Sequence, residues 1–491
     1  MQFDTSWLSL PKVSYINAQW QNHHQGETYT SINPSNRQKN AVLQFATAEQ
    51  VDSAVHSAKE AFRASDWARI NTRVRAEKLK AVAQIIRKHH AELAYLETLD
   101  NGKLYRESYE DDIPEAADVF DYYAGWCDKF YGEVCPTSDK FINYITHQPV
   151  GVCALIVPWN FPLVMASWKL APALAMGNTT IIKPAPPTSL SLIYLYEKIH
   201  EANIFPKGVI NLLLGGPEVG RALCTHRQVD KVAFTGSTAV GKEIVKNSGD
   251  SNLKYVSLEL GGKSPNIIFD DVDNLDKIIK NSFSAMFSHK GEKCSEPTRF
   301  FIHKKHFDYV VDALAEKAQK TRLGNPFDGQ SDQGPQCTEE QFNKILRYIS
   351  IGKEEGATLV CGGERDVQGD NGQGFFIRPT IFKNVKNSMK ICQDEIFGPV
   401  LTVCAFEHDE EAVRMANDTM YGLAAGLFTK DITRAHRVAA QLDAGMVYIN
   451  KYGCYDFSSP FGGFKQSGWG KDMAIHSLRS YTKTKSVWVA L

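Results

Sequence analysis

VCALIV at residues 152–157, LVMASWKLAPALAM at 163–176 and TTII at 179–182 are the segments that decide the fold. A short apolar run bounded by turn formers reads as a buried strand, and an apolar segment twice as long reads as a helix. The pattern repeats downstream. A helix is expected from about Ser189 to Ala202 and a strand over Val209 to Leu214. Lys231 to Thr235 reads as the next strand, followed by a helix from about Ala239 and a strand near Val256 to Leu258. Strands alternating with helices imply βαβ units and a parallel sheet. From about Gly262 a second alternating region begins, with helices over Phe307 to Thr321, Thr338 to Glu355 and Asp409 to Asn417 and a strand over Val400 to Phe406. Two α/β domains are therefore expected. The residues before them read as a helical preface, with helices over Ala48 to Arg63 and Thr72 to His90. Ser480 to Val489 alternates polar and β-prone residues, as an exposed edge strand that another subunit would cover.

The bulk properties narrow the function. The 491 residues are 43% hydrophobic and 23% charged, with a net charge of −1. This is ordinary globular usage, without the basic stripe that nucleic acid or an anionic membrane would require. No apolar run is long enough to span a bilayer. Met1 to Ser6 lacks the basic start and apolar stretch of a secretory signal. The ten cysteines include no CxxC pair, which favours reduced thiols over a disulfide scaffold or zinc site. A cytoplasmic protein with no metal is the expectation.

Several motifs carry chemistry. Gly236-Ser237-Thr238 follows a strand and opens a helix, where free N–H groups and the dipole end suit a pyrophosphate. A tight turn that only packs helix on sheet is the alternative. Leu214-Gly215-Gly216-Pro217-Glu218-Val219-Gly220 makes a second such turn, and Lys183 ends a strand where open α/β sheets bind ligands. Cys294 is either a thiol nucleophile or one more buried cysteine. Lys293 beside it would favour the thiolate if its ammonium points inward. Glu259, after an apolar strand and before paired glycines, is a candidate general base if desolvated and otherwise a surface residue. Asn160, directly after a strand and between two aromatics, is either an oxyanion donor or a turn former. One such donor is worth about 3 kcal/mol in the transition state.

These motifs lie in a recognisable order: Pro158-Trp159-Asn160-Phe161-Pro162, Phe234-Thr235-Gly236-Ser237-Thr238, Glu259-Leu260-Gly261-Gly262-Lys263-Ser264-Pro265, then Cys294. Glu395-Ile396-Phe397-Gly398-Pro399-Val400 and Pro460-Phe461-Gly462-Gly463-Phe464-Lys465-Gln466-Ser467-Gly468 follow. The set resembles the NAD(P)-dependent aldehyde dehydrogenase superfamily. It is most similar to the class containing the retinal, betaine aldehyde and γ-glutamyl-γ-aminobutyraldehyde dehydrogenases. The resemblance implies an α/β fold with a Rossmann-like cofactor-binding domain (residues 1–129 and 148–261), an α/β catalytic domain (262–470) and a small β oligomerisation element (130–147 and 476–491). A homodimer or homotetramer would follow.

It also implies roles. Cys294 attacks the aldehyde, Asn160 and the Cys294 N–H hold the oxyanion, and Glu259 activates water to release the acid, with Lys169 and Asp472 relaying protons. NAD, with NADP tolerated, would be held by Ile156, Trp159, Lys183, Gly216, Gly220, Phe234, Gly236, Ser237, Leu260, Gln341, Glu395 and Phe397. Phe161, Met165, Trp168, Lys293, Ser295, Tyr455 and Asp456 would bind substrate, although aromatics there could equally be core. Two departures from the family pattern stand out. Glu292 and Lys293 replace a glutamine and a small apolar residue, and Pro186 replaces a glutamate that repels a 2′-phosphate. Lys293 suits a carboxylated aldehyde, whereas Asp456 suits an ω-amino one. A CoA-acylating dehydrogenase and an idle NAD-binding homologue are the alternatives. Glu259 argues against the first, and retention of Cys294, Glu259 and Asn160 against the second.

Overall fold

The uniformly apolar runs become interior strands. The computed structural model describes residues 4–22, 26–64 and 66–491, so Met1 to Phe3 of the expected leaderless start lie outside the described residues. An eight-stranded sheet has the order Gln19–Trp20, Tyr15–Ile16, Ile210–Leu212, Thr179–Lys183, Val152–Ile156, Lys231–Thr235, Tyr255–Glu259, Gly468–Trp469. Its five inner strands are parallel, and the three pairings toward its edges are antiparallel. Every residue of Val152–Ile156 and of Thr179–Lys183 is buried, as expected of parallel strands covered by helices on both faces. The helix Pro162–Ala175 is buried all round, because the helices Thr72–Lys88 and Ile113–Ala124 pack over it.

A second sheet of seven strands has the order Thr358–Cys361, Thr380–Lys383, Val400–Phe406, Arg299–His303, Pro265–Ile268, Ala424–Phe428, Met446–Ile449. Only its outermost pairing, Thr358–Cys361 with Thr380–Lys383, is antiparallel. The third sheet pairs Thr482–Ala490 antiparallel with Phe141–Pro149, which in turn pairs with Glu133–Cys135. The terminal strand thus occupies an edge. Phe141, Ile142, Trp488 and Val489 on this sheet remain exposed.

The two helices expected of the preface form, as Ala48–Ala64 and Thr72–Lys88, but the structure places strands ahead of them. Before Ala48, the strands Tyr15–Ile16 and Gln19–Trp20 extend the first sheet, and Thr28–Ile32 pairs with Lys39–Gln44 as a hairpin. The alternating β-prone residues of Thr28–Ile32 and the turn Asn33-Pro34-Ser35-Asn36 were the available signal. The expected Val209 to Leu214 strand shrinks to Ile210–Leu212.

A buried charge cluster fixes the approach to the site. Lys103, fully buried, pairs with Glu97 at 3.1 Å and with Asp112. Glu97 also accepts from the Leu163 N–H at 3.3 Å and Ser191 Oγ at 3.1 Å. The cluster therefore satisfies a free N–H in the first turn of Pro162–Ala175 and anchors the residues just before it.

Candidate active site

A cavity of about 710 Å³ lies between the two larger sheets. The segment carrying the nucleophile enters it along a strained path. His289 (φ 54°) and Lys290 (φ 63°) are left-handed, a conformation costly for residues with a Cβ, and are followed by Gly291 at 76°. Specific contacts hold the strain. The Glu107 carboxylate accepts the His289 N–H at 3.1 Å, and the His289 ring stacks on Phe161 at 4.1 Å. Lys290 Nζ donates to Asn101 Oδ1 at 2.9 Å and sits 2.8 Å from Glu292 Oε2. Gly262 is required because a Cβ there would lie 2.4 Å from the Cys294 carbonyl oxygen. The Tyr452 hydroxyl donates to the Ser295 carbonyl at 2.8 Å and closes the far side of the loop.

Cys294 is half-buried and lines the cavity. Burial pushes its thiol up, and the carboxylates of Glu395, Glu259 and Glu296 push it further the same way. The adjacent Lys293 does not offset this. Its ammonium donates to Ser288 Oγ at 2.6 Å and lies 3.8 Å from the buried Glu296 carboxylate. The charge is engaged by an acid rather than by the thiol, so a separate base is needed.

Glu259 lines the same cavity at 5% exposure, and its Oε2 has no hydrogen-bond partner. Burial, reinforced by Asp472 and opposed by Lys169 and Lys471, holds its carboxyl well above the usual range, as a general base requires. Asp472 also lines the cavity and pairs with the buried Lys169 at 2.8 Å, which places Lys169 one step behind. Asn160 donates one amide hydrogen to the Glu292 carbonyl at 2.8 Å, which orients the amide toward the loop of the nucleophile. Its backbone carbonyl bonds His289 Nε2 at 2.8 Å and accepts from Asn101 Nδ2 at 3.3 Å. Asn101, His289 and Lys290, which escaped the sequence reading, thus brace the amide and the thiol together. Nothing in their local sequence marks them, since their partners come from distant segments.

The other half of the cavity suits a dinucleotide. Ser237 Oγ accepts the Val240 N–H at 3.3 Å and caps the helix Thr238–Ser251, whose first N–H groups open toward Gly236 and Ser237. Thr235 Oγ1 is buried there without a partner, as a polar lining awaiting a ligand would be. Any side chain at Gly236 would lie within 2.4 Å of the Phe234 ring. Glu395 accepts the Gly262 N–H at 3.0 Å, and Trp159 meets Phe397 edge-on at 5.3 Å. Phe397 is itself left-handed (φ 61°). Gln341 braces it by donating to the carbonyls of Ile396 at 2.9 Å and Phe397 at 2.6 Å. Leu260, Gln341 and Ser237 line the cavity, whereas Ile156, Lys183, Gly216, Gly220 and Phe234 are not among its walls. Lys183 and Gly220 adjoin one another beside it, the lysine stem 3.8 Å from where a Gly220 Cβ would be. Burial brings the Lys183 ammonium down to about 8. Gly216 abuts Phe45, and Ile156 is buried in the sheet.

The substrate end is aromatic and acidic. Phe161, Met165, Trp168, Ser295, Tyr455 and Asp456 all line it, together with Lys293. Trp168 meets Phe461 at 5.0 Å and Tyr455 at 6.1 Å. Glu110, Asp111, Glu115 and Asp118 join this wall from the segment around the helix Ile113–Ala124. Among the described residues, no cluster of histidine, cysteine and acidic side chains could hold a metal ion.

Thiol, buried carboxylate, oriented amide and dinucleotide cleft define the class of a cysteine-dependent oxidoreductase. Residues 20–487 match the aldehyde dehydrogenase family, and the chain belongs to it. It is 44% identical over 477 residues to the mitochondrial aldehyde dehydrogenase of Homo sapiens, covering 97% of this chain and 91% of that one. An aldehyde dehydrogenase from Bacillus cereus, solved in complex with NAD+, superposes with a TM-score of 0.96 at 44% identity, over 99% of this chain and 98% of that one. A betaine aldehyde dehydrogenase from Staphylococcus aureus, also with NAD+, reaches 0.95 at 40% identity, over 98% and 97%. The protein is an NAD-dependent aldehyde dehydrogenase acting on a small aldehyde. Among the described residues, no helix is long and apolar enough to cross a membrane.

Proposed function

We propose that the protein oxidises a positively charged aldehyde, such as an ω-amino or quaternary ammonium aldehyde, to its carboxylic acid. The observation that carries this reading is the shared cavity. Cys294, Glu259 and Asn160 line it, and Glu110, Asp111, Glu115 and Asp456 line its substrate end beside the cation Lys293. Because Lys293 is held by Ser288 and Glu296, the net field at the mouth is negative and attracts a cation.

The chemistry follows from the residues. Sγ of Cys294 adds to the aldehyde carbon, and its proton leaves to a buried base, for which Glu259 is placed. The oxyanion that forms is held by the free amide hydrogen of Asn160 and by the Cys294 N–H. Bound NAD would supply the acceptor to which the adduct's hydrogen leaves as hydride, with Glu395 and Lys183 suited to its riboses and Ser237 to its pyrophosphate. Collapse of the tetrahedral adduct leaves a thioester on Cys294. Once Glu259 has passed the thiol's proton on, it takes a proton from water, whose oxygen attacks the thioester, and the Cys294 sulfur leaves as the acid is freed. Asp472 and Lys169 lie behind Glu259 as a route for that proton.

The separation of the eight-, seven- and three-stranded sheets supports a division into a cofactor domain (1–129 and 148–261), a catalytic domain (262–470) and an oligomerisation element (130–147 and 476–491). The exposed Phe141, Ile142, Trp488 and Val489 suit burial in a dimer or tetramer, and a cytoplasmic location is part of the same reading.

A panel of aldehydes matched in length and differing in charge, followed by NADH absorbance, tests the substrate reading. The expected result is a kcat/KM about tenfold or more higher for the quaternary ammonium member than for its neutral counterpart. Equal values, or a preference for the carboxylated member, would remove it.

Cofactor choice gives a second expectation. Pro186 opens the short turn Pro186–Thr188 after the strand that ends at Lys183, and offers neither an acceptor nor a negative charge. NADP should therefore be used alongside NAD. Pro186→Glu should raise the NAD-to-NADP ratio of kcat/KM by about tenfold through repulsion of the 2′-phosphate. A strong NAD preference in the unaltered enzyme would place the discrimination elsewhere.

A further inference from the structure

Glu115 lies on the helix Ile113–Ala124 and lines the substrate end of the cavity. Its two carboxylate oxygens are both engaged, but by neutral donors. Oε1 accepts from Trp168 Nε1 at 3.0 Å, and Oε2 accepts from the Tyr455 hydroxyl. Trp168 belongs to the helix Pro162–Ala175, while Tyr455 comes from the loop after Met446–Ile449. The carboxylate thus ties two separately anchored rings, 6.1 Å apart at 67°, into one wall. Among the described residues, no lysine or arginine forms an ion pair with it. A carboxylate set among aromatic faces without a counter-ion is the arrangement that favours a desolvated ammonium, through charge and cation–π attraction together.

We propose that Glu115 is the specificity-determining residue for a cationic substrate: its carboxylate locks Trp168 and Tyr455 into an aromatic wall and is itself the counter-ion for the substrate's ammonium. The inference rests on the reading of a positively charged aldehyde given above and assigns the recognition to one side chain.

The assignment has a pH signature. Burial raises the Glu115 carboxyl to about 7, the hydrogen bonds from Tyr455 and Trp168 lower it, and the negative charges of Asp112 and Asp111 raise it. Of the other charged groups nearby, Lys293 acts on Asp111, and Asp456 accepts from the N–H and hydroxyl of Ser458. The form that binds a cation is the carboxylate. It is populated as pH rises through about 7 and lost below it.

The test compares kcat/KM for a quaternary ammonium aldehyde, whose charge does not titrate, with that for a neutral aldehyde of equal length. Taking the ratio cancels the titration of Cys294 and Glu259, which both substrates share. In the unaltered enzyme the ratio should climb about tenfold between about pH 6 and about pH 8.5. Glu115→Gln should lower it about tenfold at the upper end and flatten its pH dependence. Tyr455→Phe keeps the charge and loses one stabilising hydrogen bond, so it should move the midpoint to higher pH. A ratio that prefers the cation yet stays flat with pH and survives Glu115→Gln would overturn the role of Glu115 while leaving the substrate reading intact. A ratio near one in the unaltered enzyme at every pH would overturn the substrate reading itself.

Discussion

Cys294→Ala is expected to lower kcat for aldehyde-dependent NADH formation by about 10⁴-fold or more, the scale on which removing a covalent nucleophile falls. NAD affinity, read by fluorescence quenching, should hold within a few-fold. The reason for this separation is geometric. The thiol sits on the loop braced by His289, Lys290 and Glu292, whereas the residues proposed to hold the dinucleotide, Ser237, Glu395, Trp159 and Phe397, stand on other segments. Among the described residues, Cys294 is the only cysteine that lines the cavity, so no second thiol stands ready to replace it. Retention of more than about a hundredth of the rate would mean that another group accepts the aldehyde.

Glu259→Gln should separate the two halves of the reaction. Loss of the base that activates water is expected to lower steady-state turnover by about 10²- to 10⁴-fold, the range for general-base catalysis. Any NADH formed in the first turnover would then appear as a burst that stops near one equivalent per site, with the acyl group held on Cys294 and visible by mass spectrometry. The buried position of Glu259, with Oε2 unpartnered, lets glutamine fit without leaving an unpaired charge. Adding CoA should not restore turnover if water is the natural acceptor. Restoration to the original rate would return the CoA-acylating alternative. Because Glu259 also takes the thiol's proton in the proposed scheme, the burst should form more slowly than in the unaltered enzyme, and its complete absence would make Glu259 indispensable to both halves of the reaction.

The reading of Val152 to Ile182 as strand, helix and strand matches the folded elements almost residue for residue, and so does Val400–Phe406. Both are long apolar runs whose periodicity survives any tertiary context. The N-terminal strands were lost for the opposite reason. Tyr15–Ile16 and Gln19–Trp20 have two residues each and exist only because a sheet edge receives them. Within the site, Cys294, Glu259 and Asn160 were legible because glycine and proline punctuate their surroundings. Glu115 was not. It is one acid among several on an ordinary helix, and only folding brings Trp168 and Tyr455 to it from 53 and 340 positions away.

The order of motifs along the chain was therefore enough to determine the family and the reaction and to single out Cys294, Glu259 and Asn160, which the fold brings into one cavity, since such motifs depend on local backbone geometry that sequence encodes. The charge balance at the cavity mouth, the capture of Lys293 by Glu296 and the bracing of Asn160 through Asn101 and His289 were decided only by the tertiary structure. Each is an interaction that folding sets, even between Lys293 and Glu296, which lie only three residues apart in the chain. Its strength depends on distance and on how far burial has removed water, neither of which a linear chain contains.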